Sequence, residues 1–351
     1  MRKVNWGVIG AAGIADRRTI PGMILAGNAQ LVAVMDVSID LAERIRAKYN
    51  AHRAYSSATE LLADPAVEAV YIASPVVYHM EHAILAARSR KHLLLEKPVA
   101  LTVAQGYDVL DEIRKADVLA AAGFMMRFGA YNMKIRELIQ AGVLGQIVSA
   151  KAQFTCWYPD MPGSWRQSWA QGGGGALMDM GVHCIDLIQY ITGAKATQVA
   201  ALTDTKTFQY EVDDSASVLF SLSNGANAFV EANFNIPDEA ARWRLEFYGT
   251  KGSLVAHNTI NQLDTGTIEL VLSSSSMAYD AAQNKVDSKS QAPTVQFGNL
   301  YTREIESFSN SMLYGLPVEV PLSDAVQVQS VVEAAYMSSR EKRFVLLGDN
   351  V

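Results

Sequence analysis

The side chain best suited to proton chemistry in this sequence is Lys97, within the tripeptide Glu96-Lys97-Pro98. The apolar run 93–95 directly before it predicts a buried strand, and ligands bind at the carboxyl ends of such strands in parallel sheets. Pro98 disfavours the α conformation at Lys97, which restricts where the amine points. Partial burial can lower a lysine pKa from about 10.4 towards neutrality, as a proton carrier requires. The alternative is a surface lysine paired with Glu96.

A second group with acid–base potential consists of Asp179, His183 and Asp186, which follow the glycine run 172–175. Their i, i+4, i+7 spacing places all three on one face of a helix predicted over 176–192. A histidine beside a carboxylate suits proton transfer. Two alternatives stay open: a metal ion shared by Asp179 and His183, or a core histidine bonded to Asp186. No HExxH motif and no thiolate cluster accompanies the pair, so no metal is expected.

A glycine-containing turn, Gly10-Ala11-Ala12-Gly13-Ile14-Ala15, follows the apolar run 4–9 and precedes a helix. Small residues there let the backbone approach a pyrophosphate, whose charge is stabilised by unpaired N–H groups at a helix N-terminus. Asp36 follows the second predicted strand about 20 residues later, where a carboxylate accepts hydrogen bonds from the adenosine ribose. The carboxylate repels a 2′-phosphate and no Arg or Lys follows in 37–40, so NAD is preferred over NADP. The alternative is an ordinary strand–helix turn.

These residues need elements that hold them together, and the first 123 residues alternate strand and helix patterns. Apolar or β-branched runs predict strands at 4–9, 31–35, 69–73, 92–95 and 118–122, and amphipathic stretches predict helices at 40–48, 78–88 and 102–115. Strands that alternate with helices of this length indicate βαβ units. We therefore predict a doubly wound parallel sheet, within a dinucleotide-binding domain over residues 1–123.

The pattern changes after Gly123 to strands separated by hairpin-like turns. Strands are predicted at 147–154, 197–203, 216–223, 226–234, 243–248 and 253–256, and helices at 131–141, 176–192, 300–313 and 322–340. Consecutive hairpins indicate a largely antiparallel open sheet backed by helices, which makes an α+β domain over 124–351. The polar segment 273–293 is predicted to be a loop.

Composition narrows the classes of partner and compartment. The 351 residues include 30 Lys and Arg against 36 Asp and Glu, a formal charge of −6. A mildly acidic chain argues against nucleic acid and anionic membranes as partners. No apolar window reaches the ~18 residues that a membrane span requires. Two cysteines without a CxxC motif, and an N-terminus without the pattern of a signal peptide, predict a cytoplasmic protein with reduced thiols.

Taken together, these motifs resemble the glucose–fructose oxidoreductase and inositol dehydrogenase family, Gfo/Idh/MocA. The similarity depends on the glycine turn, on Glu96-Lys97-Pro98 and on the segment 173–186, and it extends to Ser74-Pro75, His79 and Trp165-Arg166. It covers essentially the whole chain. It implies a Rossmann domain followed by a domain whose open sheet commonly mediates dimer or tetramer contacts, and hence a homodimer or homotetramer.

The resemblance also implies roles for individual residues. Lys97 would transfer the proton and contact both nicotinamide ribose and substrate, His183 would be its acid–base partner, and Asp179 would orient the substrate or the imidazole. The residues implied to bind the NAD or NADP cofactor are Gly10, Ala11, Ala12, Gly13, Ile14, Asp36, Ser74, Pro75, His79, Glu96, Lys97, Trp165, Arg166 and Tyr301.

The implied function is reversible oxidation of a secondary alcohol on a sugar, sugar derivative or cyclitol, with hydride transfer to the nicotinamide. Trp157, Tyr158, Trp165 and Trp169 either stack on the sugar or pack in the core. Two alternative functions remain. One is internal redox with a tightly held, recycled NAD, including glycosidase-type cleavage, and the other is a sugar-sensing regulator that has kept the nucleotide.

Overall fold

The computed structural model describes residues 2–273, 281 and 290–348, which form two sheets with helices packed around them. The first sheet comprises β1 (Val4–Ile9), β2 (Ala29–Met35), β3 (Arg53–Tyr55), β4 (Ala69–Ile72), β5 (His92–Glu96) and β6 (Ala120–Gly123). Its strands are all parallel, in the order β3-β2-β1-β4-β5-β6. This is the strand order of a doubly wound dinucleotide-binding sheet, and the prediction of that fold is confirmed.

Helices cover both faces of the first sheet, as its nearly continuous apolar strands require. They are α1 (Ile20–Leu25), α2 (Ile39–Tyr49), α3 (Ala58–Ala63), α4 (His79–Arg88) and α5 (Val103–Ala116), with a π-helical turn at Ala15–Thr19 before α1. The hydroxyl of Ser38 caps α2 by accepting a hydrogen bond from the Leu41 N–H at 3.3 Å. Asn50, at φ 54°, ends the same helix.

The second sheet is mixed and mostly antiparallel. Its strands are β7 (Ile147–Thr155), β8 (Ala196–Asp204), β9 (Ser215–Leu222), β10 (Asn227–Asn233), β11 (Arg244–Gly249), β12 (Gly252–His257), β13 (Thr267–Leu272) and β14 (Val345–Leu346). Their order is β13-β12-β11-β7-β10-β9-β8-β14, with β7 and β10 running parallel. The prediction of an open, largely antiparallel sheet is confirmed, although β13 and β14 were not predicted.

The remaining helices join the two sheets. They are α6 (Ala130–Gln140), α7 (Trp169–Gly172), α8 (Val182–Thr192), α9 (Leu300–Tyr314) and α10 (Leu322–Glu341), with a π-helical turn at Leu177–Gly181 before α8. Although α9 comes late in the chain, it packs against α1 and β1 of the first sheet, where Trp6 Nε1 donates to Ser309 Oγ at 3.1 Å. The boundary between residues 123 and 124 therefore stays a prediction.

One apolar core runs from the first sheet to the second. It includes Leu95 of β5, Ile188 of α8, Val230 of β10 and Val331 of α10, each completely buried. This continuous packing fixes the carboxyl end of β5 against the start of α8. Most of the predicted loop 273–293 lies outside the described residues. No helix in the described ranges combines the length and apolarity needed to cross a bilayer.

Candidate active site

A cavity of about 450 Å³ lies at the carboxyl ends of β1, β4 and β5, facing the second sheet. Clefts at this edge of a doubly wound sheet are the usual ligand sites, and this volume suits a small molecule. The predicted site residues on its wall are Ile14, Ser74, His79, Glu96, Lys97, Trp165, Arg166, Asp179, His183 and Tyr301. The structure thus brings the lysine and the histidine to one cavity.

Lys97 reaches across the cavity to the turn that precedes α8. Its Nζ donates to Asp179 twice, at 2.9 Å to Oδ1 and at 2.7 Å to the main-chain oxygen. Only 13% of the lysine side chain is exposed. The alternative of a surface lysine paired with Glu96 is wrong, because the Glu96 carboxylate is buried and accepts hydrogen bonds from the Tyr71 hydroxyl at 2.5 Å and the Lys97 N–H at 3.1 Å. The Lys97–Pro98 peptide is cis.

Asp179 is the anion between two cations. Arg166 Nε lies 3.4 Å from the same Oδ1 that Lys97 binds. Burial alone would raise the pKa of the Asp179 carboxyl, but the charges of Lys97 and Arg166 outweigh it and hold the pKa well below its usual value. Asp179 is therefore ionised throughout the physiological range, and it fixes the position of the lysine amine.

His183 lies in an apolar part of the same wall. Its ring meets the edges of Phe124 and Phe154, at centroid distances of 5.8 and 6.2 Å, and its Nδ1 is buried without a hydrogen-bond partner. Burial lowers the pKa of His183 well below 6.5, with a further contribution from the positive charge of Lys97 and an opposing one from Asp179. The imidazole is consequently neutral at pH 7, which suits a proton acceptor.

Asp186 does not share this wall, contrary to the prediction of one common face. Its carboxylate accepts two hydrogen bonds from Arg127 Nε, at 3.0 and 3.1 Å, and one from Nη2 at 2.6 Å. The alternative of a core His183 bonded to Asp186 is therefore wrong. Arg127 belongs to no motif of the sequence, and its buried guanidinium beside α8 binds Asp186.

The glycine turn contributes to the cavity mainly through Ile14. Gly10 has a φ of +77°, and a Cβ there would lie 2.6 Å from Ser74 N, so the turn after β1 must pack directly on the turn after β4. The N–H groups of Gly10 and Ala11 both donate to Met35 O, at 3.0 and 2.9 Å. These two amides are therefore bound to the sheet, whereas Gly13 borders open space.

The remaining predicted cofactor residues lie around the same sheet edge. Asp36 directly follows β2, and its Oδ1 accepts a hydrogen bond from the Ser38 N–H at 3.2 Å. His79 joins two turns, because its Nδ1 lies 2.8 Å from Pro98 O and its Nε2 lies 2.8 Å from Ser74 O. Its ring therefore braces the turn that carries Lys97. Gly10, Ala11, Ala12, Gly13, Asp36 and Pro75 are not among the residues that line the cavity.

Several residues that line the cavity were not predicted from the sequence. They are Arg17, Arg18, Ala73, Met125, Met126, Phe154, Cys156, Met180, Asp238, Trp243, Asn261 and Gln262. Arg17 and Arg18 follow the glycine turn after a single residue, so their position was readable from the sequence. Asn261 and Gln262 lie between β12 and the unpredicted β13, and no sequence signal placed them here.

The aromatic residues proposed for sugar stacking divide into two groups. Trp165 lines the cavity, with the Arg166 guanidinium 4.0 Å from its ring centroid. The other three pack against protein rings instead: Trp157 against Phe208 at 5.1 Å, Tyr158 against Phe234 at 4.9 Å, and Trp169 against Tyr336 at 5.0 Å. Of the ranges that the structure describes, none contains a cluster of three or more His, Cys, Asp or Glu side chains arranged to hold a metal ion.

Comparisons with known proteins agree with this architecture. Residues 4–124 match the model described as the oxidoreductase family with an NAD-binding Rossmann fold, and residues 132–255 match the GFO/IDH/MocA C-terminal domain. The chain is 28% identical to myo-inositol 2-dehydrogenase of Thermotoga maritima, over 97% of this chain and 98% of that protein. It is 30% identical to trans-1,2-dihydrobenzene-1,2-diol dehydrogenase of Mus musculus, over 71% and 73% of the two chains.

A solved structure extends the likeness to the whole chain. Aldose–aldose oxidoreductase from Caulobacter crescentus, complexed with glycerol, superposes with a TM-score of 0.88 at 25% identity, covering 99% of this chain and 100% of that one. The match includes both sheets and therefore the cleft between them. With both halves of the chain matched in the same order, the protein belongs to the Gfo/Idh/MocA family of NAD-binding oxidoreductases.

Proposed function

We propose that the protein reversibly oxidises a secondary hydroxyl group of a sugar, sugar derivative or cyclitol. The observation that carries this proposal is the convergence of the Lys97 amine and the His183 imidazole on one cavity, with Asp179 bonded to the amine at 2.9 Å. A base and a cationic donor beside one substrate site are what alcohol oxidation needs. The names of the relatives, which include a myo-inositol dehydrogenase and an aldose oxidoreductase, support the substrate class.

The residues at the sheet edge fit a nicotinamide dinucleotide. Gly13 borders open space, Arg17 and Arg18 add positive charge close to the turn, and Tyr301, whose buried hydroxyl has no hydrogen-bond partner, lines the cavity. These groups suit an anionic pyrophosphate and a polar ring. We assign the ribose of the adenosine to Asp36, whose charge favours NAD over NADP. When bound, the nicotinamide supplies the hydride acceptor for oxidation.

The protein side chains would handle the proton. His183 is neutral and has a free lone pair, so it can accept the hydroxyl proton as the carbonyl forms. The Lys97 ammonium would donate a hydrogen bond to the same oxygen and stabilise the negative charge that develops on it. Asp179 would hold the amine in place through two hydrogen bonds, which leave the third amine hydrogen available to the substrate. In the reverse direction His183 returns the proton.

The far wall of the cavity would recognise the substrate. Trp165 and Trp243 offer aromatic surfaces, and Asp238, Asn261 and Gln262 offer acceptors and donors. A sugar or cyclitol presents apolar C–H faces and a ring of hydroxyl groups, which match such a mixed wall. This pairing favours a polyhydroxylated ring over an apolar alcohol.

We also propose that the protein assembles as a homodimer or homotetramer in the cytoplasm. Leu202 of β8 and Leu346 of β14 are 75% and 77% exposed, and Leu219 of β9 is 43% exposed. Apolar side chains along an open sheet favour pairing with a second copy, as a homodimer or homotetramer, which light scattering can test. Cys156 and Cys184 are free thiols, which fits a cytoplasmic location.

The proposal is tested by a spectrophotometric screen for NADH and NADPH formation over sugars, sugar acids and inositols. We expect NADH formation with at least one polyol, abolished in His183→Asn and retained in His52→Asn, which changes an exposed histidine outside the cavity. Absence of NADH with every compound would overturn net oxidation. A copurifying NAD that is reduced and reoxidised within one turnover would instead indicate internal redox.

A further inference from the structure

The connection between β8 and β9 is hydrogen-bonded to the glycine run 172–175, which leads into the helical turn Leu177–Gly181 that carries Asp179. We propose that Asp213, at the end of this connection, is a positioning residue that holds Asp179 where it accepts the hydrogen bonds of the Lys97 amine. The inference builds on the proposed function, because it assumes that Lys97, Asp179 and His183 act together. Asp213 is buried, does not line the cavity and belongs to none of the motifs singled out from the sequence.

The Asp213 carboxylate binds main-chain amides at the end of the glycine run and at the start of the helical turn that carries Asp179. Its Oδ1 accepts a hydrogen bond from the Gly175 N–H at 2.8 Å, and its Oδ2 accepts one from the Leu177 N–H at 2.8 Å. Its main-chain oxygen accepts a third from the Ala176 N–H at 2.9 Å. Three consecutive amides are thus held by one residue, at the point where the helical turn Leu177–Gly181 begins.

A second element holds Asp213 itself. The Tyr336 hydroxyl of α10 donates to Asp213 Oδ1 at 2.7 Å. The carboxylate is therefore fixed from one side by the glycine run and from the other by a helix of the core. Charge-assisted hydrogen bonds of this kind are about twice as strong as neutral ones, so the arrangement is stiff.

The packing also explains why glycines occupy this run. A Cβ on Gly175 would lie 1.9 Å from Asp213 O, and a Cβ on Gly174 would lie 2.2 Å from the Tyr336 hydroxyl. No other residue type allows the backbone to approach so closely. The glycines at 174 and 175 therefore allow the close contacts with Asp213 and Tyr336, so these two residues hold the glycine run in place as well as fill the core.

A short chain of hydrogen bonds connects Asp213 to Lys97. Asp213 holds the Gly175 N–H, Gly175 O accepts from the Asp179 N–H at 2.9 Å, and Asp179 O accepts from Lys97 Nζ at 2.7 Å. The second bond of the amine, to Asp179 Oδ1, depends on the same turn. A displacement of the turn would therefore remove both acceptors of the amine at once, and positional errors of about 1 Å can cost a hundredfold in rate.

The test uses Asp213→Asn in the full-length chain, because the amide NH2 faces one of the donors that the carboxylate accepts. Trace acetylation of Lys97 by acetic anhydride, followed by mass spectrometry, reports the bonding of the amine without any substrate. We expect Lys97 acetylation to rise about tenfold, with the other lysines unchanged, since the amine loses charge-assisted bonds. We also expect kcat to fall about 10- to 100-fold while the dissociation constant of NAD stays within about twofold.

Asp214→Asn is the matched control. The Asp214 carboxylate binds the N–H groups of Lys206, Thr207 and Phe208 within the connection and none in the glycine run. It should leave Lys97 acetylation and kcat close to wild type. If Asp214→Asn raises acetylation as much as Asp213→Asn does, the effect is general loosening of the connection and the proposal is overturned.

Tyr336→Phe keeps the test decisive if Asp213→Asn does not fold. It removes one of the donors to Asp213 while filling the same space, so Lys97 acetylation should rise about threefold. Wild-type acetylation in Tyr336→Phe, or in a folded Asp213→Asn, would overturn the positioning role. Full turnover in a Lys97 variant would instead overturn the catalytic assignment, and the acetylation result would still report on Asp213.

Discussion

Replacing Arg127 with methionine is expected to destabilise the protein by about 3–5 kcal/mol, the cost of leaving a buried charge without its partner. Arg127 and Asp186 are 5% and 1% exposed at their side chains, and the guanidinium binds the carboxylate through both Nε and Nη2. Nη1 also binds Asp324 at 3.0 Å, but that carboxylate is 29% exposed and contributes little. The predicted loss is a large share of the roughly 5–15 kcal/mol that stabilises a typical domain.

The pH dependence of this loss follows from the carboxylate that remains. Burial already raises the pKa of Asp186, and Arg127 opposes that rise, so the substitution raises the pKa further above its unfolded value of about 3.9. The folded state then binds more protons than the unfolded state, and stability increases as pH falls. The cost of Arg127→Met should therefore be smaller at about pH 5 than at about pH 7.

Urea unfolding followed by tryptophan fluorescence at both pH values measures these quantities. The double variant Arg127→Met with Asp186→Leu should recover most of the loss, because it leaves no buried charge without a partner. Arg88→Met, which breaks an exposed ion pair with Glu112, is the control and should leave the midpoint unchanged. A cost below about 1 kcal/mol, or one that grows towards low pH, would refute the assignment of Asp186 to Arg127.

Three further predictions concern the site. Asp179→Asn removes the negative charge that holds Lys97, so kcat should fall about 10- to 100-fold. NADH affinity, measured by fluorescence titration, should change by less than about threefold, and an equal loss in kcat and in affinity would contradict a catalytic role. Because burial and Lys97 lower the pKa of His183, kcat/KM for oxidation should fall by less than about twofold between about pH 7.5 and pH 6. A pH profile in which kcat/KM falls with a midpoint near pH 6.5 would show that the base is a different group. Asp36→Ala removes the charge that repels a 2′-phosphate, so the ratio of kcat/KM for NADP to that for NAD should rise at least about tenfold; an unchanged ratio would mean that selectivity lies elsewhere.

The core strands of both sheets could be predicted from sequence because their apolar runs are long and bounded by turn residues. β1 was predicted at its observed bounds, and β8 to within one residue at each end. The missed elements are short or partly exposed. β3 has three residues, beginning with the exposed Arg53, and β14 has two, so neither carries a periodic signal.

The site was predictable where its residues belong to local motifs and unpredictable where they pair over long distances. Lys97 and His183 were identified from their immediate neighbours, and both line the cavity. The pairing of Asp186 with Arg127, by contrast, joins residues from separate elements whose contact only tertiary packing decides. The same holds for Asp213, whose grip on Gly175 depends on the path of a connecting segment that has no sequence pattern of its own.

The most direct test of the proposed catalysis compares Lys97→Met with Lys91→Met. Lys91 directly precedes the same strand at its opposite end, where Nζ donates to Asp64 O and Val67 O, and it does not line the cavity. Initial rates of NADH formation with the best substrate, together with NADH affinity, should show kcat reduced about a thousandfold in Lys97→Met, unchanged in Lys91→Met, and nucleotide binding retained in both. Turnover in Lys97→Met within about tenfold of wild type would contradict the catalytic role assigned to Lys97.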